Sequence, residues 1–543
     1  MTSDVVFLFS SKLENPSRFF QGYFFQKADY VYGQAGFEAF CQTRRIRRPV
    51  REDGCYIQAE ETRSGYRFSA DFSGFKKIFY FWDGGFWAVS NSLYRLAEHL
   101  SQNGYPVRPN VCQLAAAAAE GTFYPSGRGS FFSQMTSFDT IVRGIRLAPI
   151  DCTLRIGSAG ARVEKAICQA TDDDYRGQLG RFLGTWIGRL ETLMQQEPLQ
   201  ISCDLTGGLD TRTIFALLLC ALRRSGSEID DHIRFHTGGG GYLARRDRNV
   251  ASSLCKYAGR ALNGRLARKP KWLHGKDSYL RWRDLCLGVY HPIYFPNTSP
   301  SAEIIYLGGG GGENHRRFYS QFLDAPSADS FVARRTRDIK LRSTRPDFEL
   351  ALQQAIDSIM DRAPENLDAM ECHYRHFRNR FHSGRQPQYA VTYQPLASKL
   401  LDGITAVGRE APFPNGLLHY DILYNLQPEL LEIPFDKLRK LPGRNVRKHL
   451  TSLSTYSIPS GNRFIEDSRV SRPKRRKNEA SAIDHLQEDF ARAKNGFATE
   501  FLGKRYVRRA ERSMQRAART GSFSGPTRSK RVAVVVACGM FDS

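Results

Sequence analysis

The sequence predicts an α/β fold, with an antiparallel sheet region at the N-terminus followed by a doubly wound parallel sheet. Three observations predict it. Aromatic-rich alternating runs at 77–82 and 86–90 are broken by Asp83-Gly84-Gly85, which reads as two strands joined by a tight turn. A helical period opens at Tyr175 and runs through Leu179, Phe182, Leu183, Trp186, Ile187, Leu190 and Met194. Beyond it, short apolar runs end in glycine-bearing loops and alternate with helical segments, the pattern of an open parallel sheet with its ligand at the strands' carboxyl ends. These textures divide the chain into residues 1–170, 171–460 and a basic C-terminal extension, 461–543.

Taken in order, the alanine run 115–119 reads as part of a buried helix. Asp172, Asp173 and Asp174 stand where the long helix should begin, and negative charge there suits the helix dipole. Candidate parallel strands are 199–205, 233–237 and 303–307, with a helix over 213–222 after the first. The run 532–538, rich in valine, reads as a buried strand.

A chain of 543 residues with 41% hydrophobic content can bury two or three cores. Its 11 cysteines include no Cys-x-x-Cys pair, which argues for reduced thiols and a cytoplasmic setting over a disulfide framework or a zinc site. The N-terminus lacks the basic start and apolar run of a signal peptide, and no stretch approaches the roughly 20 apolar residues of a membrane helix. The net charge of +24 raises nucleic acid as a partner, and clusters lie at 44–51, 334–345 and 472–477. No recognised nucleic-acid motif accompanies them, so solvated faces or a basic tail are the favoured reading.

The most informative string is Leu205-Thr206-Gly207-Gly208-Leu209-Asp210-Thr211-Arg212. It lies between a strand and a helix, where paired glycines free backbone amides for an anion and the helix start favours negative charge. Phosphate is the natural guest. A carboxylate in such a loop makes sense when a divalent cation bridges it to the phosphates, so the string suggests a magnesium–nucleotide site. A second glycine cluster, Gly308-Gly309-Gly310-Gly311-Gly312-Glu313, follows the third strand. Ordering five glycines costs roughly 1 kcal/mol each relative to alanine, so either ligand or packing compensates, or the run is a floppy linker.

The first string resembles the Ser-Gly-Gly-x-Asp-Ser loop of the ATP pyrophosphatases (PP-loop proteins), in the form found in asparagine synthetase-like proteins. Thr206 and Thr211 stand at the two serines and keep their hydroxyls. The second cluster is similar to that family's Ser-Gly-Glu-Gly-Ala-Asp-Glu signature. The resemblance implies that Asp210 and Glu313 hold Mg2+, that Leu205, Thr206, Gly207, Gly208, Asp210, Thr211, Thr237, Gly309, Gly311 and Gly312 bind ATP, and that Tyr319 matches the family's tyrosine. Gly310 departs from it, because the family has glutamate or tyrosine there. Asp247 would sit near the next helix start, as ligand neighbour or as plain cap. Arg444, Arg447 and Lys448 are the nearest cations for the leaving pyrophosphate, with Lys448 the catalytic candidate. Among histidines near the loops, His236, His291 and His315 could serve as a base.

The segments 85–92 and 141–149 look like the glutaminase half of asparagine synthetases, an Ntn-hydrolase-like domain. The nucleophilic cysteine of that half is Thr2 here, so the resemblance is closest in type to beta-lactam synthetases and lasso-peptide cyclases, with a degenerate amidotransferase-like domain. The resemblance implies an AMP-forming amide ligase that uses ATP and Mg2+ to join a small-molecule or peptide carboxylate to an amine. Two other readings stay open: a nucleic-acid-modifying ATP pyrophosphatase that uses the basic tail, and a non-catalytic scaffold of the same fold.

Overall fold

The computed structural model describes residues 5–120, 130–166, 173–195, 199–226, 232–238, 242–266, 272–316, 318–319, 327–363, 368–404, 416–437, 440–466, 480–523 and 525–542. Thr2 and the basic run 472–477 lie outside them.

The chain is mixed α/β, with two antiparallel sheets followed by a parallel one. Ten strands make up the N-terminal part: β1 (Leu8–Ser10), β2 (Arg18–Gln26), β3 (Asp29–Tyr32), β4 (Asp53–Thr62), β5 (Gly65–Ala70), β6 (Phe79–Asp83), β7 (Phe86–Ser90), β8 (Arg146–Leu147), β9 (Cys152–Gly157) and β10 (Gly160–Lys165). The next four are β11 (Gln200–Asp204), β12 (Ile233–His236), β13 (Ile304–Leu307) and β14 (Thr392–Tyr393), and β15 (Arg463–Ile465) is the last.

One sheet runs β1-β7-β6-β8, and a larger one runs β10-β9-β5-β4-β2-β3-β15. Their facing sides share one core: Phe9 and Val89 from the first sheet pack with Ile57, Phe68 and Leu154 from the second. Helices cover the outer faces. Phe37 and Phe40 of the helix Gly33–Arg44 pack on Phe20 and Phe24 of β2, and the helix Leu93–Gln102 packs on Phe79 and Ala88. The expected hairpin is β6–β7, with Asp83 opposite Phe86 and a two-residue turn at Gly84 and Gly85. Both glycines have positive φ, 52° and 96°, the conformation that a tight hairpin of this twist demands.

The third sheet runs β12-β11-β13-β14 and every pair in it is parallel. Its first three strands are those expected from sequence. β14 was not expected; two residues carry too little pattern to announce a strand. The helix Tyr175–Met194 is capped by Asp174, which accepts the Gly177 amide at 2.8 Å. The second helix, Leu209–Ser225, starts four residues earlier than expected and so carries Asp210 in its first turn.

Buried polar contacts join the two parts. Asp53 of β4 accepts from Arg189 of the long helix at 2.6 Å, from the Ser398 hydroxyl at 2.5 Å and from the Lys399 amide at 2.6 Å. The Tyr23 hydroxyl of β2 accepts the Thr392 amide at 2.8 Å.

Residues past 460 are woven into the body. β15 pairs parallel with β3, and the helices Ala482–Ala493, Lys504–Thr520 and Pro526–Cys538 pack together into the core that also holds the helix Gly275–Cys286. The run 532–538, expected as a strand, is thus helix. An all-apolar run has no period to separate the two states, and Pro526 at the first helical position favours a helix start. No helix among the described residues is long and apolar enough to cross a membrane.

Candidate functional site

A cleft of about 410 Å³ lies at the carboxyl ends of β11, β12 and β13, lined by Asp204, Thr206, Gly208, Asp210, Thr211, His236, Thr237, Gly238 and Gly309. This is where a parallel sheet presents its loops. Thr206 and Thr211 share a hydrogen bond between hydroxyls at 3.0 Å, and Thr211 also receives the Thr206 amide at 3.1 Å. Gly208 is the N-cap of the helix Leu209–Ser225, which opens this helix start to the cleft. Across the mouth, His236 Nδ1 stands 3.5 Å from Asp204. Thr237 is held by its amide, which donates to Asn263 at 2.9 Å.

The glycine cluster after β13 is close-packed. A Cβ added at any of Gly308, Gly309, Gly310, Gly311 or Gly312 would come within 3.0 Å of a neighbour. The neighbours are the Gln394 amide for Gly308 and Gly310, Asp210 and Thr211 for Gly309, Ala397 for Gly311 and the Asp210 carboxylate for Gly312. A linker would show open space at these positions, so packing is what offsets the entropy of ordering the run. Gly311 also holds φ at 88°. Where a side chain at residue 310 would begin, Gln394 stands instead, and its Oε1 accepts the Gly310 amide at 2.6 Å.

This packing brings the second loop to the first. Asp210 and Glu313, 103 residues apart in sequence, both pair with Arg316: one guanidinium nitrogen contacts Asp210 and the other lies 3.3 Å from Glu313. Asp210 is also 2.9 Å from Nε2 of fully buried His419. Burial first, then the charge of Arg316, hold His419 well below the usual imidazole range, so it is neutral at pH 7. Burial pushes the Glu313 carboxyl up to about 7, with Lys440 pulling the other way.

A third segment closes the floor. Arg212, fully buried, donates to the carbonyls of Leu430, Ile433 and Pro434, each at 2.7 Å, and stacks 3.6 Å from the Phe435 ring centroid. Burial lowers its pKa to about 10, so it stays charged at neutral pH. That clamp carries Asp436 and Lys440 to the loop: the Asp436 amide donates to the Gly207 carbonyl at 3.1 Å, and Lys440 Nζ is paired with Asp436 at 2.7 Å and lies 4.0 Å from where a Gly208 Cβ would stand.

Several expected residues stand elsewhere. Leu205 is buried and contributes its amide to the His236 carbonyl, at 2.7 Å. Gly207 is buried beside the cleft, its amide donating at 3.1 Å to Asp247, which sits in the second turn of the helix Tyr242–Tyr257 and caps nothing. Gly311 and Gly312 shape the second loop from behind. Tyr319 is 1% exposed in an aromatic cluster with Phe131, Phe331 and Tyr374, off the cleft. Lys448 is exposed at the end of the short helix Arg444–Lys448, Arg447 pairs with Glu432 at 2.9 Å, and neither lines the cleft; Lys440 is the lysine that stands beside the first loop. His315 is half-buried, its Nε2 2.8 Å from the Leu396 carbonyl, and His291 is buried; of the three histidines only His236 reaches the cleft.

Sequence reasoning missed the parts played by Arg212, Gln394, Lys440, His419 and Arg316, and it set Asp247 at a helix start, not on the Gly207 amide. Two of the five had a signal: Arg212 ends the loop string, and Arg316 follows Glu313 by three residues. Among the described residues, no group of three or more His, Cys, Asp or Glu is arranged to hold a metal. Compared with known proteins, the chain matches no protein-family model and no curated sequence.

Proposed function

We propose that the chain is an ATP-dependent, AMP-forming amide ligase of the asparagine synthetase-like type. The parallel-sheet part then corresponds to a PP-loop domain, and the two stacked antiparallel sheets to a degenerate Ntn-hydrolase-like amidotransferase domain. One observation carries the reading: Asp210 and Glu313 converge from distant loops beside a helix start and two threonine hydroxyls, at the carboxyl ends of parallel strands.

The donor chemistry fits a magnesium ion. Asp210 and Glu313 would hold it, two carboxylates being what this hard cation takes when phosphates complete its shell. When bound, it would supply charge neutralisation on the departing pyrophosphate. Arg316 engages carboxylate oxygens of both residues, so guanidinium and metal would be alternatives at this point. Thr206, Thr211 and the Gly208 helix start bind phosphate oxygens, and Lys440 adds positive charge opposite them. Thr237 and His236 bound the nucleoside end of the cleft. A substrate carboxylate attacks the nucleotide's α-phosphorus, pyrophosphate leaves, and an amine displaces AMP from the acyl adenylate.

The test is magnesium-dependent exchange of labelled pyrophosphate into ATP across a panel of carboxylic acids, lost in Asp210→Asn. A second reading, a scaffold without chemistry, is favoured by Gln394 standing over Gly310 and by the Arg316 pairing. Absence of exchange with every acid, together with an unchanged melting temperature on adding Mg-ATP, would establish the scaffold and overturn the ligase.

A further inference from the structure

The helix Lys504–Thr520 carries seven basic residues and a single acidic one. Its charge is sorted by face. Val507, Ala510, Met514 and Ala517 are buried in the core, whereas Arg505, Arg508, Arg512, Arg516 and Arg519 are exposed. Steps of three, four, four and three residues put these five arginines in one row along the helix, about 21 Å long at 1.5 Å per residue. The lone acid, Glu511, is engaged by Lys494 at 2.6 Å, and none of the five arginines makes an ion pair among the described residues. Like charges at these spacings repel, and an external anion would relieve that repulsion.

We propose that this face docks the phosphate backbone of a nucleic acid. The row offers guanidiniums about 4.5–6 Å apart along a straight line, and guanidinium pairs with phosphate through two parallel hydrogen bonds. A membrane surface is the poorer fit, because an interfacial helix inserts its apolar face and here that face is already buried in protein. An acidic protein segment would need its own charges in matching register, whereas a sugar–phosphate strand presents a regular row by construction. The net charge of the whole chain, +24 with this row included, adds long-range attraction for the same partner. The inference stands on the helix alone and is independent of the nucleotide cleft.

The experiment measures binding of the full chain to fluorescein-labelled 24-base-pair RNA and to the corresponding single strand, by anisotropy between 50 and 200 mM KCl. Five phosphate contacts predict a log–log salt slope of about −4.5 on duplex, a loss of affinity of about 500-fold over that range. Arg508→Gln/Arg512→Gln/Arg516→Gln keeps good helix formers in place and should flatten the slope by about 2.7, with a melting temperature no lower than that of the wild type. Arg108→Gln/Arg143→Gln/Arg162→Gln, three exposed arginines on the N-terminal part, should leave the slope alone. Equal flattening by the two triple variants would assign binding to diffuse charge and overturn the proposal. So would binding of phosphatidylserine vesicles but of neither RNA, or undiminished RNA binding by the helix variant.

Discussion

Replacing Glu313 by Gln turns the electrostatics of the candidate site into a stability measurement. Burial raises this carboxyl from its ordinary 4.5 to about 7, so the folded chain holds the proton more tightly than the unfolded chain does. The sign follows from that difference. Below the unfolded value both states are protonated and nothing is lost; as pH rises through the folded value, the cost of a buried carboxylate appears in full. The interval corresponds to about 3 kcal/mol at most. With the side chain 31% exposed, solvent reduces the expected figure to about 1–3 kcal/mol. Glutamine carries no charge at any pH, so Glu313→Gln should gain this amount on the wild type between pH 4.5 and pH 8. Paired urea unfolding curves at pH 4.5, 6 and 8 read it directly, since both proteins share every other titrating group. A wild type that gains on the variant with rising pH would mean that the Arg316 ion pair outweighs burial, and the reasoning would fail.

Gly311→Ala should lower stability by about 2 kcal/mol or more, because φ is 88° and the new Cβ would stand 2.5 Å from the Ala397 amide; Gly403→Ala, at φ 70° in open space, should cost only about 1 kcal/mol by the same denaturant assay. Arg189→Met should cost about 3–5 kcal/mol, as it strands the Asp53 carboxylate between the two parts of the molecule. Lys440→Met should weaken Mg-ATP binding at least 10-fold in calorimetry, while Lys448→Met leaves it unchanged; the reverse order would return the role to the residue the sequence indicated.

The local geometry of the site was written in adjacent residues. The hairpin at Gly84-Gly85, the three parallel strands and the helix after the first of them all follow from period and turn chemistry, which act within a few residues, although the helix begins four residues earlier than its apolar period indicates. What the sequence hid is what comes from afar. Gln394 and Lys440 reach the loops through the fold, and nothing near them in sequence announces a target; Asp247 was legible as a neighbour of the site but not as the acceptor of the Gly207 amide. Tyr319 failed for a different reason. The chain makes one tight turn over Gly312–His315, and Tyr319 then packs in the aromatic core with Phe131, Phe331 and Tyr374, so spacing from the glycines stops reporting position. The valine run at 532–538 shows the limit of composition: burial was legible, the backbone state was not.

The five glycines after β13 mark where packing and chemistry meet. Each position is closed to a side chain by Gln394, Asp210, Thr211 or Ala397; Asp210 makes the closest approach of all, at Gly312, and also closes Gly309. The carboxylate is therefore wedged against backbone, with His419 neutral behind it and Arg316 in front. Such a group has few ways to move, and among the described residues its charge is compensated by a guanidinium that also serves Glu313. Removing Arg316 would leave two partly buried acids facing each other, a repulsion that either a proton on Glu313 or an external cation must relieve. The proton is available because burial has already brought that carboxyl near neutrality, and the cation is available because both acids present oxygen to the same point. Arg316→Ala should therefore raise the affinity for Mn2+, read by electron paramagnetic resonance without nucleotide, at least 10-fold at pH 8 and much less at pH 6, where the proton competes. Equal, weak Mn2+ binding by the wild type and the variant at both pH values would show that the acids do not share a cation site.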